Sequence, residues 1–235
     1  METLAYAQTV LIERGLARFA LIPLCDHVGG AAPVLRTLGA DAFADSGQTY
    51  PGHAYHDALE VVRQRGVRLL EPRAGGVWRT GDGVTFRFYG PLLPYLRGTR
   101  NDINNNSLVF RLEYGAFRML FTGDAGAETE RRLLATGDDL HASVLKVGHH
   151  GSAYSSTPEF LRAVAPRAAI ISVGRDNLFG HPAATTLRAL QDAGASVYRS
   201  DRDGAVTVES DGRSFSIEPF LQRANDERAP SKTGR

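Results

Sequence analysis

The sequence predicts a mixed α/β fold built as one domain. Two observations support this: strand-like segments before the middle of the chain pair as hairpins, and after the middle helices and strands alternate. In addition, no internal repeat and no shift in composition marks a linker. We therefore expect a single domain over residues 1–220 and a disordered polar tail over 221–235.

The first half of the chain combines short predicted helices with strands. Residues 4–19 have a weak helical pattern broken by Gly15, so the segment 1–21 is atypical of the rest. The remaining predicted elements are a helix and then a strand within 33–47, a helix over 56–66 closed by Gly66, strands at 67–72 and 84–91, and a hairpin over 107–124 that turns near Gly115.

The second half alternates regularly. Its predicted elements are helices at 128–136, 157–166 and 181–194, strands at 142–147, 168–174 and 196–201, and a final hairpin at 204–220 around Asp211-Gly212. Pro158 and Pro182 are each expected at a first helical position, where the missing N–H is not needed.

Composition excludes several classes of protein. The formal net charge of the 235 residues is +1, so any affinity for nucleic acid must come from a local patch. The single cysteine, Cys25, excludes an internal disulfide and a Cys-rich zinc cluster. No apolar run approaches the ~20 residues of a membrane span, and Glu2, Glu13 and Arg14 do not fit a signal peptide. We therefore expect a soluble chain that is cytoplasmic by default.

Four short stretches carry metal-type ligands at the end of an apolar strand, where rigid scaffolds present functional groups. They are Asp26-His27, Gly123-Asp124, His149-His150-Gly151-Ser152 and Gly180-His181-Pro182. Carboxylate together with imidazole suits zinc, manganese or iron, and an aspartate that bridges suits two ions. The four stretches together predict a metal site.

Each stretch alone also has a structural interpretation. Asp26 can cap a helix, Gly123-Asp124 is common in turns, and His181 can cap the helix after it. Adjacent histidines followed by Gly-Ser are harder to explain by packing, so His149 and His150 favour function. A solvated surface role is expected for the remaining histidines, which are His53, His56 and His141.

Longer runs of the sequence resemble a known family. "NNNSLVFRLEYGAFRMLFTGD", "LKVGHHGSAYSS", "IISVGRDNLFGHP" and "VYRSDRDGAVTV" are similar to the metallo-β-lactamase-like domain attached to bacterial DNA-uptake proteins of the ComEC type, over roughly residues 26–217. The resemblance implies an αββα sandwich with metals at one edge. It further implies a metal-dependent hydrolase of phosphodiesters, a nuclease that degrades the DNA strand that is not transported.

The resemblance also implies roles for individual residues and one or two divalent ions, zinc or manganese. The implied metal ligands are Asp26, His27, Asp124 as the bridging carboxylate, and His149. The implied catalytic groups are His150, His181 and Asp124, and the implied substrate-binding groups are Asn106, Ser107 and Ser152. For Asn106 and Ser107 a role in supporting the ligands is the alternative.

The chain departs from the family pattern near its start. Ile22 stands where the family has histidine, and Leu24 where it has histidine or aspartate. We therefore expect an incomplete first metal-binding loop and missing N-terminal strands. The expected partners are single-stranded DNA and the membrane channel domain of a longer homologous protein, which would place the domain on the outer side of the inner membrane. The alternatives are a non-catalytic DNA- or protein-binding domain and another metallo-esterase.

Overall fold

The computed structural model describes residues 19–21 and 28–221. Several predictions lie outside these residues: the helix before Phe19, the departures at Ile22 and Leu24, the ligands Asp26 and His27, and the polar tail from residue 222 onward.

The N-terminal part forms a three-stranded parallel sheet in the order β1-β2-β3. Its strands are β1 (Phe19–Leu21), β2 (Ala42–Ala44) and β3 (Arg68–Leu70), connected by helices α1 (Ala31–Thr37) and α2 (His53–Gln64). Leu35 of α1 and Val61 of α2 are buried in one apolar cluster with Phe43 of β2. The two helices therefore cover one face of this sheet.

A seven-stranded sheet forms the rest of the framework, in the order β10-β9-β8-β7-β6-β5-β4. Its strands are β4 (Val77–Arg79), β5 (Thr85–Gly90), β6 (Val109–Tyr114), β7 (Phe117–Phe121), β8 (Val144–Lys146), β9 (Ala168–Ile171) and β10 (Ser196–Arg199). Pairs among β4 to β7 are antiparallel, and pairs among β7 to β10 are parallel. The change at β7 follows the change from hairpins to helical crossovers along the chain.

The remaining elements lie outside these two sheets. They are the helices α3 (Asp102–Asn105), α4 (Ala127–Ala135), α5 (Pro158–Val164), α6 (Ala184–Asp192) and α7 (Ser200–Asp203), and the antiparallel hairpin β11 (Val206–Ser210) and β12 (Phe215–Pro219).

Strand alternation on the large sheet separates two cores. Leu120 of β7 faces α4, α5 and α6 within one cluster. Its neighbour Phe121 faces the other way, into a cluster that includes Ala44 of the small sheet. Phe117 lies on the same face of β7 as Phe121, and it packs against Phe215 of the terminal hairpin. The layers are thus helix, sheet, sheet, helix, and the predicted αββα sandwich is confirmed.

The structure adds one strand that the sequence did not predict and corrects one local prediction. Strand β4 was not foreseen, because three residues between glycines show no alternation; pairing with β5 and the contact of Trp78 with Phe88, at 4.7 Å between ring centroids, define it. Pro158 begins its helix as expected, with Thr157 as the N-cap. Pro182 does not, because α6 begins at Ala184 and Pro182 lies before its N-cap. No helix in residues 28–221 is long and apolar enough to cross a membrane.

Candidate metal centre

The predicted ligands in the described part of the chain follow the carboxyl ends of neighbouring strands. Asp124 follows β7, and the turn Gly148–Gly151 follows β8. Because β7 and β8 are parallel neighbours, their carboxyl ends lie at the same edge of the sheet. Asp124 is 3% exposed, and its backbone N–H donates to Oγ of Ser107 at 3.1 Å. The aspartate is therefore held in a buried, fixed loop.

His150 faces Asp124. Its Nδ1 atom lies 2.6 Å from the carbonyl oxygen of Ser172, and since a carbonyl can only accept, Nδ1 carries the proton. Its Nε2 atom lies 3.7 Å from Oδ1 of Asp124. An imidazole that is fixed through one ring nitrogen and presents the other beside a carboxylate is the arrangement typical of a metal ligand.

The two histidines of the pair have unusual backbone conformations. His149 has φ +47° and His150 has φ +54°, in the left-handed region that non-glycine residues rarely adopt. Such strain is found most often at functional sites, where the surrounding structure maintains it. Here it sets the two rings at 69° to each other, with 6.4 Å between their centroids. His150 points to Asp124, while Nε2 of His149 lies 3.3 Å from the amide of Asn104.

His181 reaches the same edge from the loop after β9. Its ring centroid lies 5.6 Å from that of His149. Asn177 fixes its backbone on both sides, by accepting from its N–H at 2.9 Å and donating to its carbonyl at 2.8 Å. Burial lowers the pKa of His181, and the His149 and His150 rings lower it further, while Asp124 acts in the opposite direction. His181 therefore favours the neutral form, which can act as an acceptor or a ligand.

The histidine loop and the His181 loop fit closely together. Gly151 has φ +80°, and a Cβ at this position would lie 2.6 Å from Cβ of Pro182. The carbonyl of Gly151 also accepts from the N–H of Ala183 at 2.9 Å. This close approach of backbone to backbone is what brings His149 and His181 together.

A buried carboxylate holds the segment that follows the histidine loop. Glu130 of α4 accepts from the backbone N–H groups of Ser156 and Thr157 and from the Thr157 hydroxyl. Burial raises the pKa of Glu130, while the three hydrogen bonds oppose the shift. Sequence reasoning missed this residue, because nothing in its helix distinguishes it from the neighbouring Glu128.

The donors at this edge are of the kind that zinc or manganese binds, a carboxylate with imidazoles. Asp124 and His150 fit a divalent ion best, because Asp124 is buried, His150 is largely buried, and Nε2 of His150 faces Oδ1 of Asp124. Within residues 28–221, however, no three ligand-type side chains lie close enough to hold an ion by themselves. Asp26 and His27, expected to supply further ligands, lie outside the described residues.

The three residues expected to bind substrate lie behind this edge. Asn106 is buried, and its amide is bonded to the backbone of Leu96 and Asp102. Ser107 supports Asp124, and buried Ser152 accepts from the N–H of Tyr154. All three side chains are buried, and their contact with substrate stays a prediction, as does the alternative that Asn106 and Ser107 support the ligands. Asn104, not considered from the sequence, is the asparagine of the "NNNS" run that contacts His149.

Comparison with known proteins agrees with the fold. The family model described as the metallo-beta-lactamase superfamily matches residues 25–175. The chain is 34% identical over 163 residues to ComE operon protein 3 of Bacillus subtilis, covering 68% of this chain and 20% of that protein. It is 31% identical over 215 residues to competence protein ComA of Neisseria gonorrhoeae, covering 87% of this chain and 28% of that protein. The chain thus spans only 20% and 28% of the lengths of these two relatives.

Among solved structures, the CmlA beta-hydroxylase E377D mutant is similar, with a TM-score of 0.51 and 14% identity, covering 77% of this chain and 42% of that one. At this identity the likeness concerns the fold alone. The name of the matching family indicates proteins that bind metals. Family model, relatives and fold agree, and the chain belongs to the metallo-beta-lactamase superfamily as a domain of the ComEC type.

Proposed function

We propose that this domain is a metal-dependent phosphodiesterase that cleaves single-stranded DNA in connection with DNA uptake. The observation that carries the proposal is the meeting of buried Asp124 with His150, beside the His149–His181 pair, at one sheet edge. The similarity to competence proteins supports the link to DNA uptake. As part of a longer protein, the domain would work next to a membrane channel domain.

Each group at the edge has a chemical role in this proposal. A divalent ion, when bound, supplies the Lewis acidity that activates water and offsets phosphate charge. Asp124 and His150 would hold it, with the Ser172 carbonyl fixing the His150 ring. His149 and His181 lie outside this closest pair. They would donate hydrogen bonds to phosphate oxygens or to the leaving oxygen, through the N–H that a neutral imidazole keeps.

Further ligands would come from Asp26 and His27, the end of the first metal-binding loop. With Ile22 and Leu24 in place of two expected ligands, we propose that this loop is incomplete and that the first metal subsite is weak. The loss should exceed the roughly 10- to 100-fold caused by losing a residue that only supports a ligand. One bound ion is therefore the expected state.

The test is metal content and cleavage in the same preparation. The full chain, loaded with manganese or zinc and washed, should retain an ion and cleave a labelled single strand, and Asp124→Ala should lose both properties. A chain that retains no ion and cleaves nothing would overturn the proposal.

A non-catalytic DNA-binding domain is the second candidate. It is favoured by the lack of a three-ligand group within the described residues. A gel shift with single-stranded DNA at low and high salt distinguishes the two candidates: salt-sensitive binding without metal retention or cleavage supports this one.

A further inference from the structure

An exposed aromatic ring stands beside the candidate metal centre. Phe179 is 82% exposed, although Phe is usually buried. Its ring lies stacked with that of His181, at 22° between the planes and 6.0 Å between the centroids. Within the described residues, this stacking joins an exposed ring directly to one of the site histidines.

From this geometry, and resting on the function proposed above, we infer that Phe179 is a base-stacking residue that selects single-stranded nucleic acid. A base lying on the Phe179 ring would continue the stack that begins with His181. The phosphodiester attached to that nucleotide would then lie beside His181 and His149, because base and phosphodiester are separated by no more than the length of one nucleotide. Duplex DNA could not use this contact, because its bases already stack on each other.

Charge at the same loop favours stacking over simple ionic attraction. Arg175 and Asp176 are both exposed at the beginning of the loop that ends at His181, so their charges offset each other. The whole chain has a net charge of only +1. A contact by Phe179 should therefore depend little on salt, unlike a contact through phosphates.

A second exposed ring follows the histidine pair. Tyr154 is 52% exposed, and the guanidinium of Arg100 lies 3.7 Å from its ring centroid. A cation held over an aromatic face supplies both a phosphate contact and a stacking surface for a strand. The loops that carry His149 and His181 thus each present an exposed aromatic residue, which suits an extended single strand passing over the site.

The test is binding of the full chain, in EDTA so that no cleavage occurs, to a short fluorescent oligothymidylate. Phe179→Ala should weaken this binding about 5- to 150-fold, the range reported for loss of one base stack. The weakening should be the same at about 50 and 200 mM salt. Phe179→Trp should restore the affinity. Leu178→Ala is the matched control, since Leu178 is 98% exposed on the same loop and has no aromatic face.

An abasic strand of the same length separates stacking from other effects. Phe179→Ala should not change affinity for it, because it keeps the phosphates and lacks the bases. Unchanged oligothymidylate binding by Phe179→Ala would overturn the inference. So would equal weakening for both strands, or no binding by wild type. Stacking-dependent binding without cleavage on metal addition would instead overturn only the proposed hydrolysis.

Discussion

Nε2 of His150 lies 3.7 Å from Oδ1 of Asp124, while Nδ1 of the same ring is fixed by the carbonyl of Ser172 at 2.6 Å. Asp124 follows β7 and His150 follows β8, so the contact depends on the parallel pairing of these two strands. This pair is the structural basis for the metal-binding predictions that follow.

Removing either member of the pair should abolish tight metal binding. We expect Asp124→Ala and His150→Ala to weaken zinc or manganese affinity by more than about 100-fold, beyond the loss typical of a supporting residue. Calorimetric titration measures the affinity. His53→Ala is the control, because His53 is exposed on α2. Equal losses in all three variants would contradict the assignment.

Ser107→Ala should loosen the Asp124 loop. The substitution leaves the buried N–H of Asp124 without its 3.1 Å acceptor, which should lower the free energy of unfolding by about 1–3 kcal/mol. Metal affinity should fall about 10- to 100-fold, as for other residues that orient a ligand. Urea denaturation and metal titration measure the two effects. The control is Ser214→Ala at an exposed position, which should change the free energy of unfolding by no more than about 0.5 kcal/mol. An equally small change in Ser107→Ala would show that the hydrogen bond to Asp124 does not contribute to stability.

Gly151→Ala should separate the two histidine loops. Alanine at φ +80° is strained, and its Cβ would lie 2.6 Å from Cβ of Pro182. We expect the free energy of unfolding to fall by about 1–2 kcal/mol from the backbone strain and a further ~1–3 kcal/mol from the clash, with weaker metal binding as the neighbouring His150 is displaced. Gly137→Ala is the matched control, since Gly137 has φ +74° and nothing within 4 Å of the added Cβ. Thermal unfolding of both variants measures the effect. Equal decreases in Tm would mean that Pro182 moves aside without loss of stability.

Restoring the first metal-binding loop should improve metal binding. Ile22→His with Leu24→Asp would complete the pattern His-x-Asp-x-Asp-His, and residues two apart lie on the same side of an extended segment. We expect a clear gain in manganese or zinc affinity and a partial gain in cleavage, because ligands misplaced by ~1 Å can fail.

The control for this repair is the same double variant carrying Asp124→Ala, which should lose the gain. Metal titration and cleavage of a labelled single strand are measured on wild type and both variants. If the double variant binds metal no better than wild type, the alignment of residues 22–27 with the family loop is wrong.

The sequence by itself determined most of the elements and where the candidate ligands lie along them. Alternation and helical periodicity are local properties, so the hairpin β6–β7 and the later helix–strand alternation could be predicted, as could Asp124 and His149-His150 at strand ends. The motifs also identified the family, because their order along the chain is specific to it.

Only the tertiary structure decided which of these groups meet and which are covered. The order β9-β8-β7 places Asp124 beside His150, and that order depends on packing between distant segments. Strand β4 exists only by pairing with β5, so no local pattern could reveal it. Asn106 and Ser152 are polar and lie next to the motifs, yet both are buried. Whether a polar side chain meets solvent or a backbone partner depends on the neighbours that folding brings to it, and those neighbours are far away in sequence.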